Sequence, residues 1–234
     1  MTTKTALAGL SCLVATVWSA SALPYTVRDQ NNLNAGTISA FTDLTKTAAQ
    51  YYDYSALVAH IPAPPNGPAL ANTRANVFLF NGSDGLSLIT LFQPPVGGDA
   101  DWKISVASSG DPVVRVADDA GEIAKSFDGV GLDIFSASWR GGSTADGAAI
   151  GALVGPWSAL FQQNVLPANL GGFDTIAGVR VHSADGSVIN LPANSTSNPF
   201  PSFRISVPEA GSTVALLGSG LMALLSYGAW NRRS

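Results

Sequence analysis

"ANVFLFNGSDGLSLITLF", residues 75–92, carries the clearest structural signal in the chain. An unbroken apolar run leads into Asn81-Gly82-Ser83-Asp84-Gly85, and an alternating run follows. Two β-rich halves around such a turn spell a hairpin, because Gly and Asn accept the positive φ that a tight reversal needs. "RVHSADGSVIN" repeats the pattern with its turn at Asp185-Gly186. Working outward, "DWKISVA", "PVVRVAD", "VGLDIFSASW", "TIAGVRVHS", "GSVINL" and "SFRISV" are short strand candidates separated by turn residues. Many short strands predict a mainly β chain, an antiparallel β-sandwich with one or two short helices packed on it. A parallel α/β fold is disfavoured, since no long helical segments alternate with these strands. The expected core is Phe78, Phe80, Leu88, Leu91, Ile104, Val114, Ile134, Val179, Val181 and Ile189.

One stretch has helical spacing. "SAFTDLTKTAAQYYDY" places Phe41, Leu44, Ala48 and Tyr51/Tyr52 three to four residues apart, with Ser39 as cap. The proline-rich "HIPAPPNGPA" (residues 60–69) ends it. "GAAIGALVGPWSALFQQNV" is expected to be a loop and helix, interrupted by Pro156.

Charged residues make up only 12% of the 234, while Gly (24) and Pro (14) are plentiful. Residues 23–207 hold nine basic and fifteen acidic side chains, a net −6. An acidic body without a basic stripe argues against nucleic acid as a partner and against adsorption to anionic lipid. Cys12 is the single cysteine and lies in the N-terminal apolar stretch. A body without thiols suits an oxidising compartment.

The ends carry addresses. "MTTKTALAGLSCLVATVWSASA" has a positive start at Lys4, an apolar core and the small-x-small pattern Ala20-Ser21-Ala22. That is the build of a secretory signal peptide (residues 1–22), with Ala20 and Ala22 as the signal-peptidase site. At the other end, residues 210–231 are 22 uncharged positions, followed by Arg232 and Arg233. As a helix they extend about 33 Å, enough to span a hydrocarbon core. The arginines stay cytoplasmic and leave the body outside. A permanent anchor and a temporary one both fit this pattern. Between body (residues 23–194) and tail (residues 207–234), residues 195–206 read as a linker or final edge segment.

Val207-Pro208-Glu209, then Gly-Ser-Thr, an apolar span and Arg232-Arg233 at the terminus resemble the PEP-CTERM sorting signal. Ala210 departs from that family's second proline. The resemblance covers only the C-terminal segment. It implies an exported protein of a Gram-negative, exopolysaccharide-making bacterium. An exosortase, a membrane protease, would recognise Pro208 and Glu209 and release the body from a transient inner-membrane anchor to the surface or matrix. Partners implied are therefore the secretion machinery, signal peptidase, the exosortase-like protease and exopolysaccharide. Pro208 also keeps helix from extending outward, which suits a protease-accessible strand.

The body shows little chemistry of its own. His60 and His182 are the only histidines, and no metal pair, nucleophile elbow or phosphate loop accompanies them. No catalytic residue, cofactor or metal site is assigned. Asp99, Asp101, Asp118, Asp119, Glu122, Asp128 and Asp133 offer hard oxygen ligands of the kind calcium takes. The same residues serve as turn formers, which is the commoner use. Trp102, Trp139 and Trp157 are the rings that would stack on sugar, if they are exposed. The expectation is a non-enzymatic surface or matrix protein. A carbohydrate-binding module is the first alternative. A secreted hydrolase using His60, His182 or a carboxylate pair such as Asp101 and Glu122 is the second.

Overall fold

The computed structural model describes residues 24–52, 75–92, 100–117, 121–139, 146–163, 178–192 and 202–207. They form β1 (Tyr25–Arg28), β2 (Asn34–Ile38), β3 (Phe41–Asp43), α1 (Ala48–Tyr52), β4 (Ala75–Gly82) and β5 (Gly85–Phe92). Then come β6 (Ala100–Ser108), β7 (Val113–Ala117), β8 (Ile123–Phe127), β9 (Asp133–Trp139) and β10 (Asp146–Gly151). The series closes with β11 (Trp157–Gln163), β12 (Gly178–His182), β13 (Val188–Pro192) and β14 (Phe203–Ser206). The chain is mainly β, as expected. Two sheets face each other in a sandwich-like arrangement.

One sheet runs β2-β1-β14-β11-β6-β9-β8 with every pairing antiparallel. The other runs β13-β12-β4-β5-β10-β7 and is mixed, which corrects the all-antiparallel expectation. Both β12 and β3 pair with β4 in parallel. They share one edge of β4: β12 lies along Ala75 to Phe78 and β3 along Phe80 to Gly82. The Ser39 amide donates to Ser183 Oγ at 2.9 Å, and the Ala184 amide to the Ser39 carbonyl at 3.1 Å, joining these two short strands end to end.

The hairpin of residues 75–92 forms as read. Gly82 pairs with Gly85, and Ser83 and Asp84 make the turn. Its first strand is apolar without a break from Val77 to Phe80 because both of its faces are buried. Val77 and Leu79 point into the core between the sheets, with Val27, Ile104, Phe135, Phe161 and Ile205. Phe78 and Phe80 point the other way, into a second cluster with Phe41, Tyr51, Tyr52, Ile89 and Leu91. There Tyr51 stacks on Phe80 with ring centroids 4.0 Å apart. Of the expected core residues, Val114, Ile134 and Ile189 are half-buried and the others fully buried.

Two further expectations need correction. Helix does not begin at Ser39: Phe41–Asp43 is strand β3, and the helix is only Ala48–Tyr52. Asp43 Oδ1 accepts from the Thr45 amide at 3.0 Å and from Thr45 Oγ1 at 2.6 Å, which turns the chain between them. Thr47 is the cap. Its hydroxyl accepts from the Gln50 amide at 3.1 Å, while Gln50 Oε1 accepts from the Thr47 amide at 2.9 Å, a reciprocal capping box. Asp84 of the β4–β5 turn adds a carboxylate at the helix start, accepting from the Ala48 amide at 3.0 Å.

The second correction concerns residues 147–165. They contain β10 and β11, one in each sheet, with Pro156 in the connection. The small residues of β10 answer to crowding, not to helix propensity. A Cβ on Gly147 would collide with the Thr90 carbonyl and the Tyr52 hydroxyl. The strand expected at "SFRISV" forms, within residues also read as a linker or final edge segment. β14 lies between β1 and β11, with Phe203 and Ile205 in the core. Among the described residues no helix is long and apolar enough to cross a membrane. The expected signal peptide and apolar tail span lie outside the described residues.

Candidate functional site

β1 and β14 are neighbours inside the first sheet, and their alternation sends every second side chain outward. Val27, Phe203 and Ile205 point inward and are buried. Arg28, Arg204, Thr26 and Ser206 take the opposite face. Register sets Arg28 directly across from Arg204 and Thr26 across from Ser206. On the far side of β14, β11 sets Ser158 opposite Ser206 and Leu160 opposite Arg204. Directly paired residues hold their Cβ atoms about 5 Å apart. The two guanidinium groups therefore rise from adjacent points of one face.

An open cleft of about 650 Å³ lies over this ground, lined by Arg28, Asn32, Ser108, Trp157, Ser158 and Arg204 among others. Its volume is in the range of small-ligand sites. Gly155, at φ 63°, forms part of the wall, where a Cβ would strike the Ser109 hydroxyl. The wall is tied down because Ser109 Oγ donates to the Val154 carbonyl at 2.9 Å.

The charge there is unbalanced. Ion pairs of the described residues are made by Arg115 with Asp84 and by Lys125 with Asp111 and Asp133; neither Arg28 nor Arg204 is in one. No carboxylate is among the described residues lining the cleft. The nearest in sequence, Asp29, lines a smaller adjoining hollow of about 200 Å³. Its Oδ1 is turned into its own loop, accepting from the Asn31 and Leu33 amides at 2.9 Å each. That loop also holds Asn32 at φ 60°, and its carbonyl accepts from Arg28 Nη1 at 3.1 Å. One arginine is thus braced by a built turn. The other, Arg204, is exposed.

Of the residues singled out from sequence, Trp157 and Val207 line this cleft, and the others lie elsewhere or outside the described residues. Trp102 and Trp157 are 2% and 4% exposed, so neither presents a ring face for sugar stacking. Trp102 packs edge-on against Phe161 and Trp157 against Tyr25, which corrects the sugar-platform expectation for both. The reason is period: each begins an alternating run whose odd positions face inward. Trp139 ends β9 opposite Ala100, and its side chain lies outside the described ones. Val207 closes the described fold, its amide donating to the Trp157 carbonyl at 3.1 Å, and it lines the cleft. Ala20, Ala22, Pro208, Glu209, Arg232 and Arg233 lie outside the described residues, as does His60.

His182 is fully buried in β12. Its Nε2 lies 2.9 Å from Asn76 Oδ1, and its Nδ1 has no partner among the described residues. Loss of water, and secondarily the charge of Arg180, pull its pKa down to about 4. A neutral ring donating to an amide oxygen inside the core is a structural element.

Of the acidic residues, Asp99, Asp118 and Asp119 lie outside the described set, as does the side chain of Asp101. Asp128 Oδ1 accepts from the Val130 amide at 2.8 Å and the Leu132 amide at 2.9 Å, and these bonds hold its pKa below the usual carboxylate value. Asp133 pairs with Lys125 at 2.9 Å. Among the described residues no three His, Cys, Asp or Glu side chains group as a metal site. Asp101 lies on β6 and Glu122 immediately before β8, strands that flank β9. Two strand spacings separate their backbones by roughly 10 Å.

Sequence reading missed Arg28, Asn32, Ser158 and Arg204. An arginine at an outward position of "YTVR" and of "SFRIS" is visible locally. That these strands pair across nearly the whole chain is not. Compared with known proteins, the chain matches no family model, no curated protein and no solved structure.

Proposed function

We propose that this chain is an exported surface or matrix protein, delivered by its C-terminal segment as a sorting tail. The observation that carries the reading is order: Val207-Pro208-Glu209, Gly-Ser-Thr, an uncharged span, then Arg232-Arg233. The apolar span enters the bilayer and the arginines lock it, leaving the body on the outer side. An exosortase-like protease then cuts near Pro208 and Glu209, and the body moves on to the surface or the polysaccharide matrix. The signal-peptide pattern at the other end, with Ala20 and Ala22, supports the same route. A sandwich-like body without cysteine suits that destination. We assign the body no catalytic step.

The test follows an epitope-tagged body in cells with and without the processing protease. With it, the body appears outside the cell and its mass lacks the tail; without it, the body stays in the membrane fraction. Pro208→Ala combined with Glu209→Ala reproduces the second pattern. Identical distribution in both strains refutes the proposal, and so does released protein that retains Arg232 and Arg233.

A further inference from the structure

We infer that the cleft over β1, β14 and β11 binds an acidic saccharide, its carboxylate held by Arg28 and Arg204 and its ring hydroxyls set against Ser158 and Ser206. The inference goes beyond the sorting reading and rests on the cleft alone. Like charges placed directly opposite on neighbouring strands repel and weaken the sheet. Here they stand in a body that carries fifteen acids, yet none of the described ones pairs with them. An arrangement that costs stability when empty is relieved by an anion lying between the two forks. Guanidinium groups match a carboxylate in shape as well as charge, since two parallel N–H donors meet its two oxygens.

A bare carboxylate would fill only one corner of 650 Å³. The rest of the floor is hydroxyl-bearing. Ser158 and Ser206 face each other in register, and their hydroxyls make no hydrogen bond among the described residues. They lie two residues along the strands from Arg204, about 7 Å away. That distance is close to the reach of one hexuronate ring from its carboxylate to its far hydroxyls. Asn32 and Ser108 add polar walls, and Ala107, Pro156 and Val207 apolar ones. Arg28 needs little ordering, because the Asn32 carbonyl already holds it.

The test uses the full-length chain and a fluorescein-labelled alginate hexamer, read by anisotropy at fixed ionic strength. Saturable binding is expected. Arg28→Gln with Arg204→Gln weakens it at least tenfold, and Ser158→Ala with Ser206→Ala weakens it several-fold. Lys46→Gln with Arg180→Gln removes the same charge from the other sheet and its margin, and changes binding less than twofold. An unlabelled dextran hexamer does not compete, and acetate at the same carboxylate concentration competes only weakly. The urea midpoint of the double arginine variant stays level or rises, since repulsion has been removed. Absence of saturable binding overturns the inference. Equal losses in both charge-removal variants overturn it as well, as does equal competition by dextran or acetate. None of these results bears on where the tail sends the protein, so the sorting proposal is tested separately.

Discussion

His182 makes the stability of this fold depend on pH in a defined window. The ring is fully buried, and its pKa falls from the ordinary 6.5 to about 4 because burial removes the water that would solvate the imidazolium. A group whose folded pKa is depressed is protonated first in the unfolded chain. Its neutral form contributes fully above pH 6.5, and that contribution is lost as pH falls towards 4. The size follows from the same two values: about 2 kcal/mol is lost by pH 5 and about 3 kcal/mol by pH 4. The lowered carboxyls of Asp43, Asp128 and Asp185 lose their contribution as pH falls through their ordinary 3.8, beginning about one unit above it, so the change between pH 6.5 and about 5 belongs to the ring. Urea unfolding at half-unit steps from pH 7.5 to 4 reads the effect as a midpoint shift of roughly 1 M. His182→Gln lowers the midpoint at neutral pH but flattens the slope, which separates this ring from His60. Histidine NMR provides a check without mutation: one of the two rings stays neutral down to pH 5. A midpoint that is level between pH 7 and 4.5, or an unchanged slope in His182→Gln, refutes the reasoning.

Three further outcomes follow from packing and capping. Gly147→Val forces a side chain against the Thr90 carbonyl and Tyr52, and a loss of about 1–3 kcal/mol in urea unfolding is expected. Thr47→Ala removes the hydroxyl that caps α1 and costs about 1 kcal/mol by the same measurement. Trp102→Ala empties a core position packed against Phe161, so the thermal midpoint falls with a loss of about 3–5 kcal/mol. The effect of that change appears as instability and not as selective loss of saccharide binding.

Local patterns were legible where a segment's neighbours are its own sequence neighbours. The hairpins around Asp84 and Asp185 formed as read, since turn chemistry acts over four or five residues. Two clear local signals were not taken. "WSALFQQ" alternates buried and open positions from Trp157 onward, although Pro156 beside it suggested a broken helix. Thr47 and Gln50 spell a capping box three residues apart, a better start signal than Ser39. β3 shares its residues with a helical spacing, and only its pairing with β4 decides between the two.

Composition and short-range pattern were enough for the β character of the body, the two tight hairpins, the acidic balance and the terminal patterns that suggest export. Those depend on composition and on contacts a few residues long. Tertiary structure decided the rest: which strands pair in parallel, which tryptophans disappear into the core, and that Arg28 meets Arg204. A strand's backbone edge carries no label for its partner, so pairing between residues 176 positions apart is settled only when the two sheets pack and bury their apolar faces together.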